Sequence, residues 1–266
     1  MTDRWAAVAL LSALLLLAAI PADAQDKGPP HDVLIVGGRV MDGTGAPAID
    51  ADIAIRGDRI AVIAPRVAGV DPAGDLAARD TIDATGLVVA PGFIDMLGHS
   101  EFRLLADGRA ISKITQGVTT EITGEVTSVV PASERPRAER RSEIEPWGVE
   151  YTWDDLDGYF ERLESEGTAI NLGTWVGLSS LWLHGVGPED RRPTRAEMEI
   201  MKEALDDAME QGAFGLSSGL IYAPGRYATT DEIAELASVA ARHGGIYASH
   251  LRNEGDRLLE AIDEAI

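Results

Sequence analysis

Residues 91–101 read P-G-F-I-D-M-L-G-H-S-E, and this stretch decides how the rest of the chain is interpreted. Its first half is a short apolar segment, typical of a buried β-strand, and His99 and Glu101 follow directly. In α/β barrels the side chains that bind metals come from the C-terminal tips of the strands. The stretch therefore predicts a barrel strand with a candidate metal ligand, His99, at its end.

Two further segments repeat this pattern of an apolar strand followed by a ligand-type side chain. Residues 118–125 read V-T-T-E-I-T-G-E and end in Glu125, and residues 245–250 read G-I-Y-A-S-H and end in His250. One such histidine would more often be structural, but three candidates at the same end of their strands favour a site. His99, Glu125 and His250 are therefore predicted metal ligands.

From Pro91 onward, predicted strands alternate with predicted helices, which is the pattern of a parallel sheet in an α/β fold. Thr194 is a predicted N-cap with a capping box completed by Glu197, and Thr230 is a predicted N-cap without one. The predicted barrel strands are 92–96, 118–123, 169–176, 214–218 and 245–250, and the helices include 152–165, 194–211 and 230–242. Five strands predict an incomplete (β/α)₈ TIM-type barrel over residues 91–266.

Residues 31–90 contain short β-branched runs with no helix between them, which favours the N-terminal part of a small β-sandwich. Residues 53–63 alternate around Arg56-Gly57-Asp58, a sequence that suits a tight hairpin turn. Residues 128–151 are polar and are interpreted as a solvated loop, with a lid over the site as the alternative.

The first 24 residues have the pattern of a secretory signal peptide. An apolar run from Trp5 to Ile20 is followed by Ala22-Asp23-Ala24, which fits a cleavage site before Gln25. A membrane anchor is the alternative, but the run is shorter than the roughly 20 residues of a spanning helix. Residues 25–30 form a polar linker, and the mature protein is expected to be secreted or periplasmic.

Composition limits the kinds of partner. The chain carries 44 acidic and 23 basic residues and a net charge of −21, which argues against nucleic acid and against anionic membrane surfaces. No glycine-rich phosphate loop lies between a strand and a helix, so nucleotide binding is not expected. The chain has no cysteine, and therefore no disulfide and no cysteine metal ligand. The expected partner is a small-molecule substrate.

Several longer motifs resemble a known family, the N-acyl-D-amino-acid deacylases (D-aminoacylases) of the amidohydrolase superfamily. P-G-F-I-D is shared by many amidohydrolases, whereas S-S-G-L-I-Y-A-P-G together with Y-A-S-H-L-R-N-E-G is more specific. The resemblance runs from about His31 to Ile266. The matching segments are 33–45, 83–95, 116–125, 212–225 and 247–255.

The resemblance implies zinc-dependent hydrolysis of an amide bond in N-acyl-D-amino acids or related small amides. In the family, the first strand carries a pair of histidines, of which His99 matches the second while Leu97 replaces the first. His250 matches the fifth-strand histidine. Val126 stands at the position of a cysteine ligand, and Glu125 beside it is the expected replacement. One zinc ion is therefore expected rather than two.

The family also has a sixth-strand histidine and a catalytic aspartate on the eighth strand, and the resemblance places both beyond Ile266. The chain is accordingly expected to be C-terminally truncated and inactive alone. Ser218, Tyr222 and Arg252 are predicted to contact substrate, with an Arg252–Glu254 pair as the structural alternative. Two other functions stay open: a cyclic-amide or dipeptide hydrolase on the same barrel, and a non-catalytic periplasmic binding protein, which Leu97 makes plausible.

Overall fold

The computed structural model describes residues 31–68 and 76–266, so the predicted signal peptide and linker lie outside the described residues. The chain divides into two compact units, one ending at Pro91 and the other running from Gly92 to Ile266. Within the described ranges, no helix has both the length and the apolar character needed to cross a membrane.

The first unit contains a β-sheet built around its first strand. Antiparallel pairing joins β1 to β2 and β2 to β3, while β4 and β5 lie parallel to β1. The strands are β1 (His31–Val40), β2 (Ile49–Arg56), β3 (Arg59–Pro65), β4 (Ala78–Asp83) and β5 (Val88–Val89). The predicted hairpin is confirmed, and Gly57 at its turn has φ +60°, a conformation that glycine adopts readily. The described residues form one sheet, so the second layer of a sandwich stays a prediction.

The second unit is built on parallel strands. Two three-stranded sheets have the orders β6-β7-β8 and β9-β10-β11, and only Trp175 separates β8 from β9 along the chain. The strands are β6 (Phe93–Asp95), β7 (Val118–Thr123), β8 (Asn171–Thr174), β9 (Val176–Gly177), β10 (Gly215–Gly219) and β11 (Ile246–His250). All five predicted strand segments are confirmed, the third of them divided at Trp175. Because neighbours are parallel, the C-terminal ends within each sheet lie at one edge.

Helices connect these strands, and more of them form than the sequence predicted. The helices are α1 (Arg103–Ala106), α2 (Ile111–Ile114), α3 (Glu134–Ile144), α4 (Leu156–Glu166), α5 (Leu178–Gly185), α6 (Arg195–Glu210), α7 (Thr230–Arg242) and α8 (Leu258–Ala265). The capping box of Thr194 and Glu197 on α6 is confirmed. The predicted N-cap Thr230 is wrong, because Thr229 caps α7 and forms a capping box with Glu232.

The predicted solvated loop at 128–151 is wrong for most of its length. It contains α3 and a 3₁₀ turn at Glu145–Trp147, and its side chains Val129 and Ile144 are buried in the core. Arg140 on α3 is largely buried as well, with 11% of its side chain exposed. The segment therefore packs against the strand-and-helix core instead of lying in solvent.

The core of the second unit lies between the strands and the helices that follow them. Trp175 and Trp182 are buried. Leu156 and Tyr159 of α4, and Met201 and Leu205 of α6, add fully buried side chains. Burying a side chain of this size stabilises a fold by about 1.5–3 kcal/mol before the entropy of ordering is subtracted. This packing fixes the strand tips on which the candidate site is built.

Candidate functional site

The three predicted metal ligands lie together in the second unit. His99 follows β6, Glu125 follows β7 and His250 is the last residue of β11. Nδ1 of His250 lies 3.0 Å from Oε1 of Glu125, and Nε2 of His99 lies 4.0 Å from Oε2 of the same carboxylate. Glu125 is thus placed between two imidazoles that come from strands far apart in the sequence.

The cluster is partly open to solvent. Exposed side-chain fractions are 13% for Glu125, 23% for His250 and 59% for His99. The other ring nitrogen of His250, Nε2, lies 3.1 Å from Oε1 of Glu254. The ring of Tyr222 meets the His250 ring edge-on at 5.3 Å between centroids. Both nitrogens of His250 therefore face carboxylates, with an aromatic ring beside them.

The donor atoms of the three side chains are of the types that zinc binds. Zinc in proteins binds imidazole nitrogen and carboxylate oxygen at 2.0–2.2 Å, so two ligands of one tetrahedral ion lie about 3.3 Å apart. The separations of Glu125 from His250 and from His99, 3.0 and 4.0 Å, lie on either side of that value. Over residues 31–68 and 76–266, no group of three or more His, Cys, Asp and Glu side chains is arranged so that it could hold a metal ion. An ion that bound all three donors would therefore require their side chains to rearrange.

Leu97 lies on the loop that carries His99, and it is 55% exposed. Its side chain has no lone pair, so it cannot replace the histidine that the family resemblance places there.

A buried polar network, which was not predicted from the sequence, supports the loop that carries His99. Fully buried Glu121 on β7 accepts a hydrogen bond from the backbone N–H of Ser100 at 3.1 Å and lies 3.4 Å from Lys113 Nζ. Lys113 also donates to Asp95 at 2.5 Å, and this hydrogen bond holds the pKa of Asp95 below its ordinary value. A Cβ at Gly98 would lie 1.8 Å from Glu121 Oε1, so the loop needs glycine there. A glutamate inside an apolar strand is the signal that could have revealed this network.

The turn that carries Glu125 is strained. Val126 has φ +66°, which is unfavourable for a β-branched residue, and the neighbouring Thr127 N–H donates to the carbonyl of Glu125 at 2.7 Å. A Cβ at Gly219 would lie 2.3 Å from Cγ2 of Val126, and one at Gly177 would lie 2.5 Å from its carbonyl oxygen. Two close-packed glycines thus hold Val126 in place, and strain of this kind concentrates at functional sites.

Glu101 is the last residue of the 91–101 stretch that carries His99. It precedes α1, but its side chain is buried and accepts a hydrogen bond from Arg140 Nη2 at 2.6 Å. Burial raises the pKa of Glu101 above its ordinary value, and the Arg140 charge opposes that rise. The hydroxyl of Tyr159 donates to the Glu101 carbonyl at 2.8 Å. The residue therefore supports the loop from inside.

The three predicted substrate contacts differ in where the structure places them. Tyr222 is half exposed and lies beside His250, consistent with a pocket position. Ser218 is fully buried, and its hydroxyl hydrogen-bonds to the hydroxyls of Tyr247 at 2.7 Å and Ser249 at 3.3 Å. These bonds already use the Ser218 hydroxyl inside the protein, so the geometry favours a structural role for it.

Arg252 is also engaged inside the protein. Its Nε and Nη2 donate to the two carboxylate oxygens of Glu264, each at 2.8 Å, and its guanidinium also donates to the carbonyls of Arg226 and Ala228. The alternative pairing with Glu254 is wrong, because Glu254 contacts His250 instead. The bidentate geometry favours Arg252 as the residue that anchors α8, not as a free substrate clamp.

The remaining histidines contact other parts of the protein. His184 Nδ1 lies 2.7 Å from the Ser133 hydroxyl, and burial lowers the pKa of its imidazole. His243 Nε2 lies 2.8 Å from Asp206. His31 Nδ1 contacts a backbone carbonyl. None of them lies in the His99–Glu125–His250 cluster.

Comparison with known proteins places these features in a family. No protein-family model matches the sequence. The chain is 37% identical over 243 residues to a D-aminoacylase from Alcaligenes xylosoxydans xylosoxydans, a match that covers 91% of this chain and 48% of the relative.

Solved structures give the same result. An N-acyl-D-glutamate deacylase from Bordetella bronchiseptica, in complex with zinc and a phosphonate inhibitor that mimics the tetrahedral intermediate, superposes with a TM-score of 0.77 at 35% identity. That match covers 89% of this chain and 48% of the other. A D-aminoacylase with a binuclear metal centre, activated by one metal and attenuated by the second, superposes with a TM-score of 0.75 at 36% identity over 88% of this chain and 48% of that one.

The chain thus spans about half the length of the curated relatives it matches. The matched half contains the parallel strands and the cluster at their tips. By sequence and by fold, the chain is similar over about nine tenths of its length to one half of the N-acyl-D-amino-acid deacylases.

Proposed function

We propose that the protein carrying this chain is a zinc-dependent hydrolase of the amide bond in N-acyl-D-amino acids or related small amides. The observation that carries the proposal is the convergence of His99, Glu125 and His250 at strand tips, with Glu125 within 4.0 Å of both imidazoles. The relatives named above, a D-aminoacylase and an N-acyl-D-glutamate deacylase, support the substrate class.

Zinc, when bound, would lower the pKa of a coordinated water towards about 7 and polarise the amide carbonyl. His99, Glu125 and His250 would hold the ion. Glu254, 3.1 Å from Nε2 of His250, fixes the orientation of that imidazole, as carboxylates commonly do for metal-binding histidines. Tyr222 would line the substrate side of the cluster, because its half-exposed ring lies against His250.

We also propose that the site holds one zinc ion. A neighbouring D-aminoacylase has a binuclear centre of which one metal activates, so one ion is compatible with activity in this family. Leu97 removes a donor from one of the two metal positions of such a binuclear centre. Titration of the metal-free protein with zinc should therefore reach close to one equivalent, and two tightly held ions would contradict this reading of Leu97.

The parallel strands are proposed to form part of a (β/α)₈ barrel. Supporting this, the order β6-β7-β8 and β9-β10-β11 follows the order in the sequence, and helices connect successive strands. A barrel would also explain why the candidate ligands, which lie at the ends of β6, β7 and β11, meet at one end.

Export to the periplasm or the medium is proposed from the leader sequence, residues 1–24. The support is the apolar run that precedes Ala22-Asp23-Ala24. Mass spectrometry of the mature protein should find Gln25 at the N-terminus, and a retained Met1 would contradict export through a cleaved signal.

Release of free amino acid from N-acetyl-D-amino acids tests the proposed activity, with the L-enantiomers as controls. Protein containing this chain should hydrolyse the D-series only, should lose activity when a chelator removes zinc, and should recover it when zinc is restored. The His250→Asn variant should be inactive. Equal hydrolysis by wild type and His250→Asn would overturn the proposal.

A second candidate, a non-catalytic binding protein, is favoured by Leu97 alone. It predicts that the protein binds an N-acyl-D-amino acid without turnover and without zinc. Zinc content of the purified protein separates the two functions directly.

A further inference from the structure

We propose that Arg140 is a positioning residue that holds the loop of His99 and the turn of Glu125 in a fixed position relative to each other. The inference deepens the proposed function, on which its relevance to zinc rests. Arg140 lies on α3, within the segment that the sequence predicted to be solvated, and touches neither His99 nor Glu125 in the described contacts. Its effect would be exerted through two intermediate residues.

The guanidinium of Arg140 reaches both candidate ligand segments. Its Nη2 donates to Glu101 Oε1 at 2.6 Å, and Glu101 lies two residues after His99. Its Nη1 donates to the hydroxyl of Thr127, two residues after Glu125. One rigid, planar group thus links the end of the first loop to the end of the second.

The environment makes this link strong. Glu101 is 1% exposed and Arg140 is 11% exposed, so the pair is shielded from competing water. Arg140 also stacks over the ring of Phe102, with Cζ 4.8 Å from the ring centroid, and Glu143 lies 3.1 Å from Nε on the solvent side. A buried charge-assisted pair of this kind holds its partners in one geometry, because breaking it leaves a buried charge without a partner.

The link matters because the Glu125 turn is strained. Val126 has φ +66°, and a turn in that region has a more relaxed alternative unless its neighbours prevent it. The glycines at 177 and 219 hold Val126 from the strand side, and Arg140 holds Thr127 from the helix side. Arg140 is thus the contact that joins the His99 loop to the Glu125 turn, in addition to the contacts that hold each of them separately.

The competing explanation is that Arg140 only docks α3 onto the core. Arg137, on the same helix, provides the matched control. Its Nη2 donates to Asp154 at 2.7 Å and to the carbonyl of Trp153, and it contacts neither Glu101 nor Thr127 in the described hydrogen bonds. Arg137→Gln should loosen α3 without releasing the two loops.

Amide hydrogen exchange of the metal-free protein tests the link without relying on zinc. In Arg140→Gln, the Ser100 amide, which donates to Glu121, and the Thr127 amide, which donates to the Glu125 carbonyl, should both exchange about tenfold faster or more, because the two segments that carry them lose their common anchor and open more often. In Arg137→Gln, these two amides should exchange as in wild type. Unchanged exchange in Arg140→Gln, or equal acceleration in both variants, would overturn the inference.

Zinc affinity then connects the link to the proposed site. Arg140→Gln should weaken zinc binding about 10- to 100-fold, the range typical of residues that orient metal ligands, while Arg137→Gln should leave it near the wild-type value. If wild-type protein binds no zinc, the proposed metal site fails, and the exchange measurement still decides whether Arg140 couples the loops. Equal zinc affinity in Arg140→Gln and wild type would show that the coupling has no role in the site.

Removing Arg140 leaves Glu101 buried without its partner, so the single variant could fail to fold. Thr127→Val avoids this, because it cuts only the link to the Glu125 turn and keeps the Glu101–Arg140 pair. It should speed exchange at Thr127 but not at Ser100. The double variant Glu101→Gln/Arg140→Gln removes both charges and should speed exchange at both positions; slow exchange at both in that variant would also overturn the inference.

Discussion

At the scale of single residues, the position of Glu125 is constrained from several sides. It stands between His99 and His250, at 4.0 and 3.0 Å, and it is followed by a valine in a left-handed conformation. A loop carboxylate with no role would not need such a neighbour. The placement agrees with the expectation that Glu125 takes over from the cysteine of the family, an expectation that awaits a measurement.

Comparing Glu125→Gln with Val126→Ala tests whether Glu125, and not the adjacent residue, binds the metal. Glutamine keeps the size of the side chain but loses the charge, so zinc affinity should fall sharply, by about 10-fold or more. Val126→Ala is the control, and it should change mainly packing and stability. Isothermal titration with zinc compares the two, and full affinity in Glu125→Gln would show that Glu125 is only a loop carboxylate.

Gly219 allows the close approach of Val126, and its replacement tests that packing. In Gly219→Ala the new methyl group would lie 2.3 Å from Val126 Cγ2, so the free energy of unfolding should fall by about 1–3 kcal/mol. Gly255→Ala is the matched control, because the nearest atom to its Cβ would be 3.6 Å away. Urea unfolding measures both; equal stability of the two variants would contradict the strained turn.

At the scale of elements, the sequence predicted strands better than helices. The parallel strands are short runs bounded by glycine, proline or polar residues, and short length with such flanks distinguishes a strand from a helix. Helix α3 was missed because its charged sequence, Glu134 to Ile144, resembles a solvated loop. Its packing depends on Arg140 reaching Glu101, a contact between residues far apart in the chain that no local pattern encodes.

The N-cap of α7 shows how adjacent threonines can mislead. Thr229 and Thr230 both precede an apolar-periodic helix, but only Thr229 has a glutamate three residues later to close a capping box. That spacing was present in the sequence, so this part of the structure was predictable.

Alanine substitution distinguishes the two threonines. Thr229→Ala removes the cap of α7 and should lower the free energy of unfolding by about 0.5–2 kcal/mol. Thr230→Ala removes only a hydrogen bond to Glu264 at 3.0 Å on the surface, and it should have a smaller effect. Thermal and urea unfolding of both variants provide the comparison, and a larger loss in Thr230→Ala would restore Thr230 as the cap.

The start of α6 gives a pH prediction. Hydrogen bonds from Arg191 and from the Thr194 backbone lower the pKa of Glu197 to about 2, from an ordinary value of 4.5. A lowered pKa in the folded state means that Glu197 stabilises the fold above pH about 4.5 and that this stabilisation is lost as the pH falls towards about 2.

Wild type should therefore be more stable than Glu197→Gln at pH 7, and the difference in melting temperature should shrink as the pH falls below about 4.5. Glu199→Gln, two residues further into α6, is the control. It should show a smaller pH-dependent difference in melting temperature. A difference between wild type and Glu197→Gln that stays constant from pH 7 to pH 3 would contradict the capping interaction.

At the scale of the whole molecule, the sequence located the cluster because parallel strands place their C-terminal ends together. Knowing that 99, 125 and 250 follow such strands was enough to expect them at one edge. The surroundings were not predictable in the same way. The network of Asp95, Lys113 and Glu121 depends on which strands are neighbours, and the engagement of Arg252 by Glu264 depends on where α8 packs.

The position of a residue along its strand explains why the geometry favours Tyr222 over Ser218 as a substrate contact. Residues after a strand tip were expected to face the pocket, and Tyr222 does lie beside His250. Ser218 lies within the strand, where its hydroxyl bonds to neighbouring β11. A one-residue shift along a strand moves a side chain to the other face, so position relative to the tip decides its role.

The central claim, that His99, Glu125 and His250 are zinc ligands, is tested most directly by X-ray absorption at the zinc edge of the loaded protein, compared between wild type and His250→Asn. The account predicts two imidazole nitrogens and carboxylate oxygen at about 2.0–2.2 Å in wild type, and loss of one imidazole together with most of the bound zinc in His250→Asn. Zinc bound to His250→Asn with an unchanged spectrum and unchanged stoichiometry would contradict it.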